Sequence, residues 1–163
     1  MKQYFKVSRF IILIVICIMF IFCINKIVSS KEIDTENSNK NPKIVVENYF
    51  KYQNEKDKEK LLTTLTKWHN GPNVVWGFEN LKKINLESIS EETDKAVIEG
   101  YITHGRGMDN GTTLENLKVY NVKYDVNYKD DSEGPEKSGT YEKWFYVIRE
   151  NKDAPWLIDD FGY

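Results

Sequence analysis

Cysteine is almost missing from this chain, and where it is missing matters. Both cysteines, Cys17 and Cys23, lie in the first 30 residues, and none follows. The remaining 133 residues therefore have no disulfide and no thiol nucleophile, and must hold their fold by core packing alone. Acid is absent from the start of the chain, with no Asp or Glu before Glu32. Histidine occurs only at His69 and His104. Without thiols or an H-x-x-x-H spacing, the three or four converging ligands of a zinc site are not supplied, so no metal and no cofactor is expected. A concentrated basic patch is missing too. Four of the 23 basic residues (Lys2, Lys6, Arg9 and Lys26) fall in the first 30 positions, leaving 19 against 25 acids, a formal −6. An acidic domain without a basic cluster excludes nucleic acid as the expected partner, and argues against docking on anionic headgroups.

What the first 30 residues do contain is an unbroken apolar run, Phe10 to Ile24, extended by Ile27 and Val28. Basic flank first and apolar run second is the pattern of a secretory signal or of an anchor with its C-terminus outside. The run is 15 residues, or 19 through Val28, between the length of a signal core and that of a spanning helix. Its Ile and Phe content and the weak cleavage site at Val28-Ser29-Ser30 favour a retained single-pass anchor over cleavage near Ser30. Phe22 before Cys23 and Ile16 before Cys17 depart from the small residue that lipidation requires. The expected organisation is a signal-anchor over residues 1–30, with the membrane contact at 10–28, a polar tether over 31–41 and one α+β domain over 42–163.

Within that domain, Asn41-Pro42 predicts a helix start, because Asn accepts from the first free amides and Pro loses nothing at the first helical position. Val45, Val46, Tyr49, Phe50 and Tyr52 follow at helical spacing. Asp57 predicts a second, short helix through Leu61, Leu62, Leu65 and Trp68, and residues 69–73 a loop. From there the period changes to two. Strands are predicted over 81–89, 95–103, 117–129, 140–149 and 155–161. The clearest, Leu117 to Lys129, puts Tyr120, Val122, Tyr124, Val126 and Tyr128 on one face. Helices first and antiparallel strands afterwards is an α+β order.

The segments NPKIVVENYFKYQNEKDKEKLLTTL, WGFENLKKINLESI and HGRG, the Tyr-studded strand and the terminal PWLIDDFGY together resemble an uncharacterised bacterial family, the domain-of-unknown-function family 4829. That family is similar to the nuclear-transport-factor-like, or cystatin-like, cone superfamily. The resemblance covers about residues 41–163. It implies N-terminal helices packed on a curved antiparallel sheet with a central pocket. Superfamily members include isomerases, dehydratases and domains that only bind, so the fold does not choose the function.

Several residues carry candidate chemistry. Asp159 and Asp160 are neighbours on a predicted strand and should face opposite ways, so one carboxylate enters the interior, where burial raises its pKa toward that of a general acid or base. The competing and heavier reading is a structural carboxylate paired with backbone amides or a cation. His104-Gly105-Arg106-Gly107 is either a carboxylate-binding turn with His104 as base and Arg106 as donor, or a plain glycine turn. Asp109-Asn110-Gly111 lacks the spacing of a calcium loop and reads as a hairpin turn. Trp76, Tyr120, Tyr124, Trp144 and Tyr146, with Arg106, are the candidate lining of a ligand pocket, although aromatic residues on half-buried strands more often serve the core.

Two functional expectations follow. The first is a non-catalytic binding domain on the outer face of a bacterial cytoplasmic membrane, taking an envelope protein or a small molecule. The alternative is a small pocket enzyme of the dehydratase or isomerase type, using the inward Asp with His104.

Overall fold

The computed structural model describes residues 40–163. The expected anchor and nearly all of the expected tether lie outside the described residues. Among the described residues no helix is long and apolar enough to cross a membrane.

Helix α1 (Pro42–Glu55) begins where the sequence predicts. The Asn41 side chain accepts from the Lys43 amide at 3.0 Å, and Pro42 occupies the first turn. The helix stops at Lys56, which takes a left-handed conformation (φ 55°) and returns its N–H to the Gln53 and Tyr52 carbonyls. Asp57 then caps α2 (Lys58–Leu62) through the Lys60 amide. This helix is shorter than predicted. Leu65 pairs in parallel with Ile158, and Trp68 belongs to a separate 3-10 turn, Lys67–His69.

Four strands follow: β1 (Leu81–Glu91), β2 (Leu117–Tyr128), β3 (Gly139–Ile148) and β4 (Leu157–Gly162). They form one antiparallel sheet in the order β1-β2-β3-β4. The molecule is therefore α+β. Val45, Val46, Tyr49 and Phe50 of α1 are buried against Ile84, Val122, Tyr124, Val126, Phe145 and Val147 of the sheet. Alternation along β2 sends Tyr120, Val122, Tyr124 and Val126 into this core, as the period-two pattern requires.

The segment predicted as a strand at 95–103 is instead helix α3 (Lys95–His104), capped by Asp94 through the Ala96 amide at 2.8 Å. Its β-branched residues suggested a strand, but Val97, Ile98, Tyr101 and Ile102 fall at positions i, i+1, i+4 and i+5, one helical face. That face packs against Leu117 and Val119 on the reverse side of β2, with Trp144, Tyr146 and Ile148 around it. Tertiary burial outweighs the modest helix penalty of β-branching. The segment after it corrects the sequence reading again: Arg106–Asn110 forms a short helix, α4, and Gly111 ends it with φ 72°. Asp109-Asn110-Gly111 is thus a helix end and not a hairpin turn.

Candidate functional site

Two places gather polar side chains next to a cavity. The first is centred on Asp159. Between β3 and β4 the register shifts, so that Val147 faces Ile158 while Tyr146 faces Asp160. Asp159 is the extra residue, and a bulge of this kind re-aims a side chain. Asp159 is 2% exposed. One oxygen, Oδ1, accepts from Thr66 Oγ1 at 2.9 Å and Arg106 Nη2 at 3.5 Å. Oδ2 accepts from Tyr101 Oη at 2.7 Å, Asn110 Nδ2 at 3.0 Å and Arg106 Nε at 3.2 Å. Its backbone carbonyl accepts from Trp68 Nε1 at 2.6 Å and His69 Nε2 at 3.0 Å. Five donors on the carboxylate use the lone pairs that a general base would need. Burial, and then the bond to Asp159, push the Tyr101 hydroxyl well above the usual phenol range.

This arrangement is a brace. It ties α3 through Tyr101, α4 through Arg106 and Asn110, and the 66–69 segment to β4. The Arg106 guanidinium also lies 3.9 Å over the Trp68 ring. The two candidate acids do separate. Asp160 is half-buried, accepts from the Phe161 amide, and has its pKa raised by burial. His104 is exposed and its Nδ1 sits 2.7 Å from Thr103 Oγ1. No hydrogen bond among the described residues joins it to Asp159. The histidine at Asp159 is His69, whose pKa is lowered, chiefly by burial. Tyr101, Asn110, Thr66 and His69 have no local sequence signal for this role, because they lie 49 to 93 positions from Asp159.

A cavity of about 440 Å³ adjoins the brace, between Trp68, Arg106, Thr112, Asn116, Arg149 and Asp159. Its two arginines are engaged. Arg149 donates to Asn116 Oδ1 and to the carbonyls of Lys152 and Glu115, and lies 4.6 Å over the Trp156 ring. Arg106 is committed to Asp159.

The second place is a cavity of about 430 Å³ between α1, the α1-facing side of the sheet and two loops. Tyr49, Phe50, Tyr124 and Phe145 supply its aromatic wall, with Trp76 on the loop before β1. Asn80 pins that loop to the β2–β3 hairpin, accepting from the Lys129 and Asp130 amides and donating to the carbonyls of Asp130 and Glu133. Lys143 pairs with Glu136 at the cavity wall. Trp76 Nε1 is the one buried side-chain nitrogen or oxygen among the described residues without a hydrogen-bond partner. Burial also raises the hydroxyl pKa of Tyr124 and Tyr128, and neither hydroxyl makes a side-chain hydrogen bond among the described residues.

The six candidate pocket residues thus divide among four places. Trp76 and Tyr124 line this cavity. Tyr120 is core, its hydroxyl pushed up to about 12 by burial. Trp144 and Tyr146 pack under α3, Tyr146 stacking 4.5 Å from Tyr101 and Trp144 Nε1 donating to Glu92. Arg106 belongs to the Asp159 brace. No group of three or more potential metal ligands occurs among the described residues.

No curated protein and no solved structure matches the chain. The model of a family described as a domain of unknown function, DUF4829, matches residues 43–162.

Proposed function

The chain belongs to the DUF4829 family, whose description assigns no activity, and from the geometry we propose that it is a non-catalytic binding domain taking its ligand in the aromatic cavity between α1 and the sheet. On this reading the helix and sheet form the cone of the cystatin-like superfamily. The basic-then-apolar N-terminus holds the domain on the outer face of a bacterial cytoplasmic membrane. The observation that carries the proposal is a contrast. The buried acid is saturated by five donors within the protein, while the aromatic cavity keeps donors without partners. A volume of about 430 Å³ lies in the usual range for small-molecule sites.

A thermal-shift screen of the full chain in detergent micelles, against small envelope metabolites, organic acids and peptidoglycan fragments, tests it. A ligand bound only by the folded state raises the melting temperature. A saturable rise is expected, abolished by Gln53→Trp, which fills the cavity from α1. No rise from any class would overturn the cavity reading and leave docking of an envelope protein. Orientation is tested in intact cells with a Lys152→Cys variant lacking Cys17 and Cys23. Labelling by an impermeant maleimide is expected, and labelling only after lysis would overturn the outer-face assignment.

A further inference from the structure

Resting on that cavity reading, we propose that its ligand is an uncharged, largely apolar molecule carrying an oxygen acceptor, which takes a hydrogen bond from one or more of Trp76, Tyr124 and Tyr128. Three observations lead here. The wall is aromatic and aliphatic, with Tyr49, Phe50, Leu81, Ile84, Phe145 and Phe161. A charged ligand would exchange its hydration for that wall at high cost, whereas an apolar body gains by the transfer. The polar groups left over can all donate. Trp76 Nε1 can only donate, and it is buried without a partner. Native proteins rarely leave a donor in that state, and an acceptor arriving with a ligand removes the penalty. The phenols of Tyr124 and Tyr128 line the same cavity and likewise lack protein partners.

The charges select against an anion. Glu133 and Glu136 face a single cation, Lys143, already paired with Glu136. A carboxylate ligand would meet a formal −1, whereas a ketone, ester or amide oxygen accepts the same bonds without that repulsion. The loop carrying Trp76 supplies the means of adjustment. Val75 beside it is 90% exposed, and Gly77 after it has φ 65°, a conformation that suits glycine. The proposal requires a small rotation of this segment to bring the indole N–H to the ligand.

The test uses four probes that share one phenyl ring: acetophenone (neutral acceptor), cumene (no acceptor), benzoate (anion) and phenyltrimethylammonium (cation). Each is titrated into the full chain in micelles, following the indole N–H resonances. Three variants, Trp76→Phe, Tyr124→Phe and Tyr128→Phe, keep the ring and remove one donor. Micelle partition is common to wild type and variant and cancels in their ratio. At least one variant should lose about three- to tenfold in acetophenone affinity, the range of one neutral hydrogen bond, with cumene affinity unchanged. Unchanged cumene affinity also shows that the variant has folded. If acetophenone and cumene both bind and no variant separates them, the donor assignment is overturned while the cavity reading stands. Tighter binding of benzoate or phenyltrimethylammonium than of acetophenone overturns the ligand class. If none of the four moves a resonance, the cavity reading falls with it.

Discussion

Asp159 bears two separate loads, one on its carboxylate and one on its carbonyl, and single residues around it show how closely each is fitted. Gly107 is the tightest. A Cβ there would lie 2.7 Å from Tyr101 Cε1 and 2.8 Å from the Tyr101 carbonyl oxygen. One of these is backbone and cannot swing aside, so Gly107→Ala must displace α4 or the Tyr101 ring. We expect it to cost about 1–3 kcal/mol, the usual range for overpacking, or about 4 °C in melting temperature per kcal/mol at this size. An unchanged melting temperature would mean that α4 is not seated on Tyr101. His69 sets a pH dependence. With its Nε2 against the Asp159 carbonyl, the neutral ring must carry its proton there to donate. Burial lowers its pKa below 6.5, so the unfolded chain binds a proton that the folded chain resists. Stability from this residue is present above pH about 6.5 and lost as pH falls through the folded pKa. His69→Gln keeps a donor and removes the titration. Its urea midpoint should fall less than that of wild type between pH 7.5 and 5.5. Parallel curves would exclude His69 as the source of the slope.

Among the elements, β1 is an edge strand that would expose its free backbone groups. One side chain closes part of that edge. Asn54, in the last turn of α1, accepts from the Ile84 amide at 2.9 Å and donates to the Ile84 carbonyl, as a neighbouring strand would. Asn54→Ala removes both bonds and should cost about 1–3 kcal/mol, read as a lower urea midpoint with the Ile84 amide exchanging faster. An unaltered Ile84 exchange rate would show that α1 is held to β1 by apolar contact alone. The elements also show why the sequence was readable in parts. Helix α1 and strand β2 each bury one face against the same core, so their periods of 3.6 and 2 stand out, and local caps mark the helix start. Helix α3 misled because most of its apolar residues are β-branched and its packing surface, Leu117 and Val119, lies on the face of β2 opposite the Tyr120–Tyr128 row. That face is dry only because α3 covers it. Asp159 showed itself as a carboxylate near aromatics, but its partners Thr66, Tyr101, Arg106 and Asn110 meet it only after folding, and nothing local predicts a bulge in β4. His104 attracted attention by its glycines, whereas His69, in an unremarkable loop sequence, is the histidine that reaches the acid.

At the scale of the whole molecule, the described residues bring together a core, a capped first helix and a closed end. Among the described residues, the two apolar clusters run from Val45 to Phe161, and the first helix is capped by Asn41. There is no disulfide to reform and no cysteine to misoxidise after residue 30. The chain closes on itself early and late: the Leu65–Ile158 pairing and the Thr66–Asp159 bond join the end of the helical segment to the last strand. Contacts so distant in sequence form only when the sheet is complete, which favours an all-or-none transition. A fragment of residues 41–163 should therefore be soluble and unfold in one step. Tryptophan fluorescence and far-ultraviolet circular dichroism should give the same midpoint, and the calorimetric and van't Hoff enthalpies should agree near ~85 kcal/mol at ~0.7 kcal/mol per residue. Separate midpoints would mean that α3, α4 and the Asp159 brace open before the α1–sheet core. Recovery of the fragment only as aggregate would mean that residues before 41 cover part of the apolar surface, and that the segment between the apolar run and α1 is more than a tether.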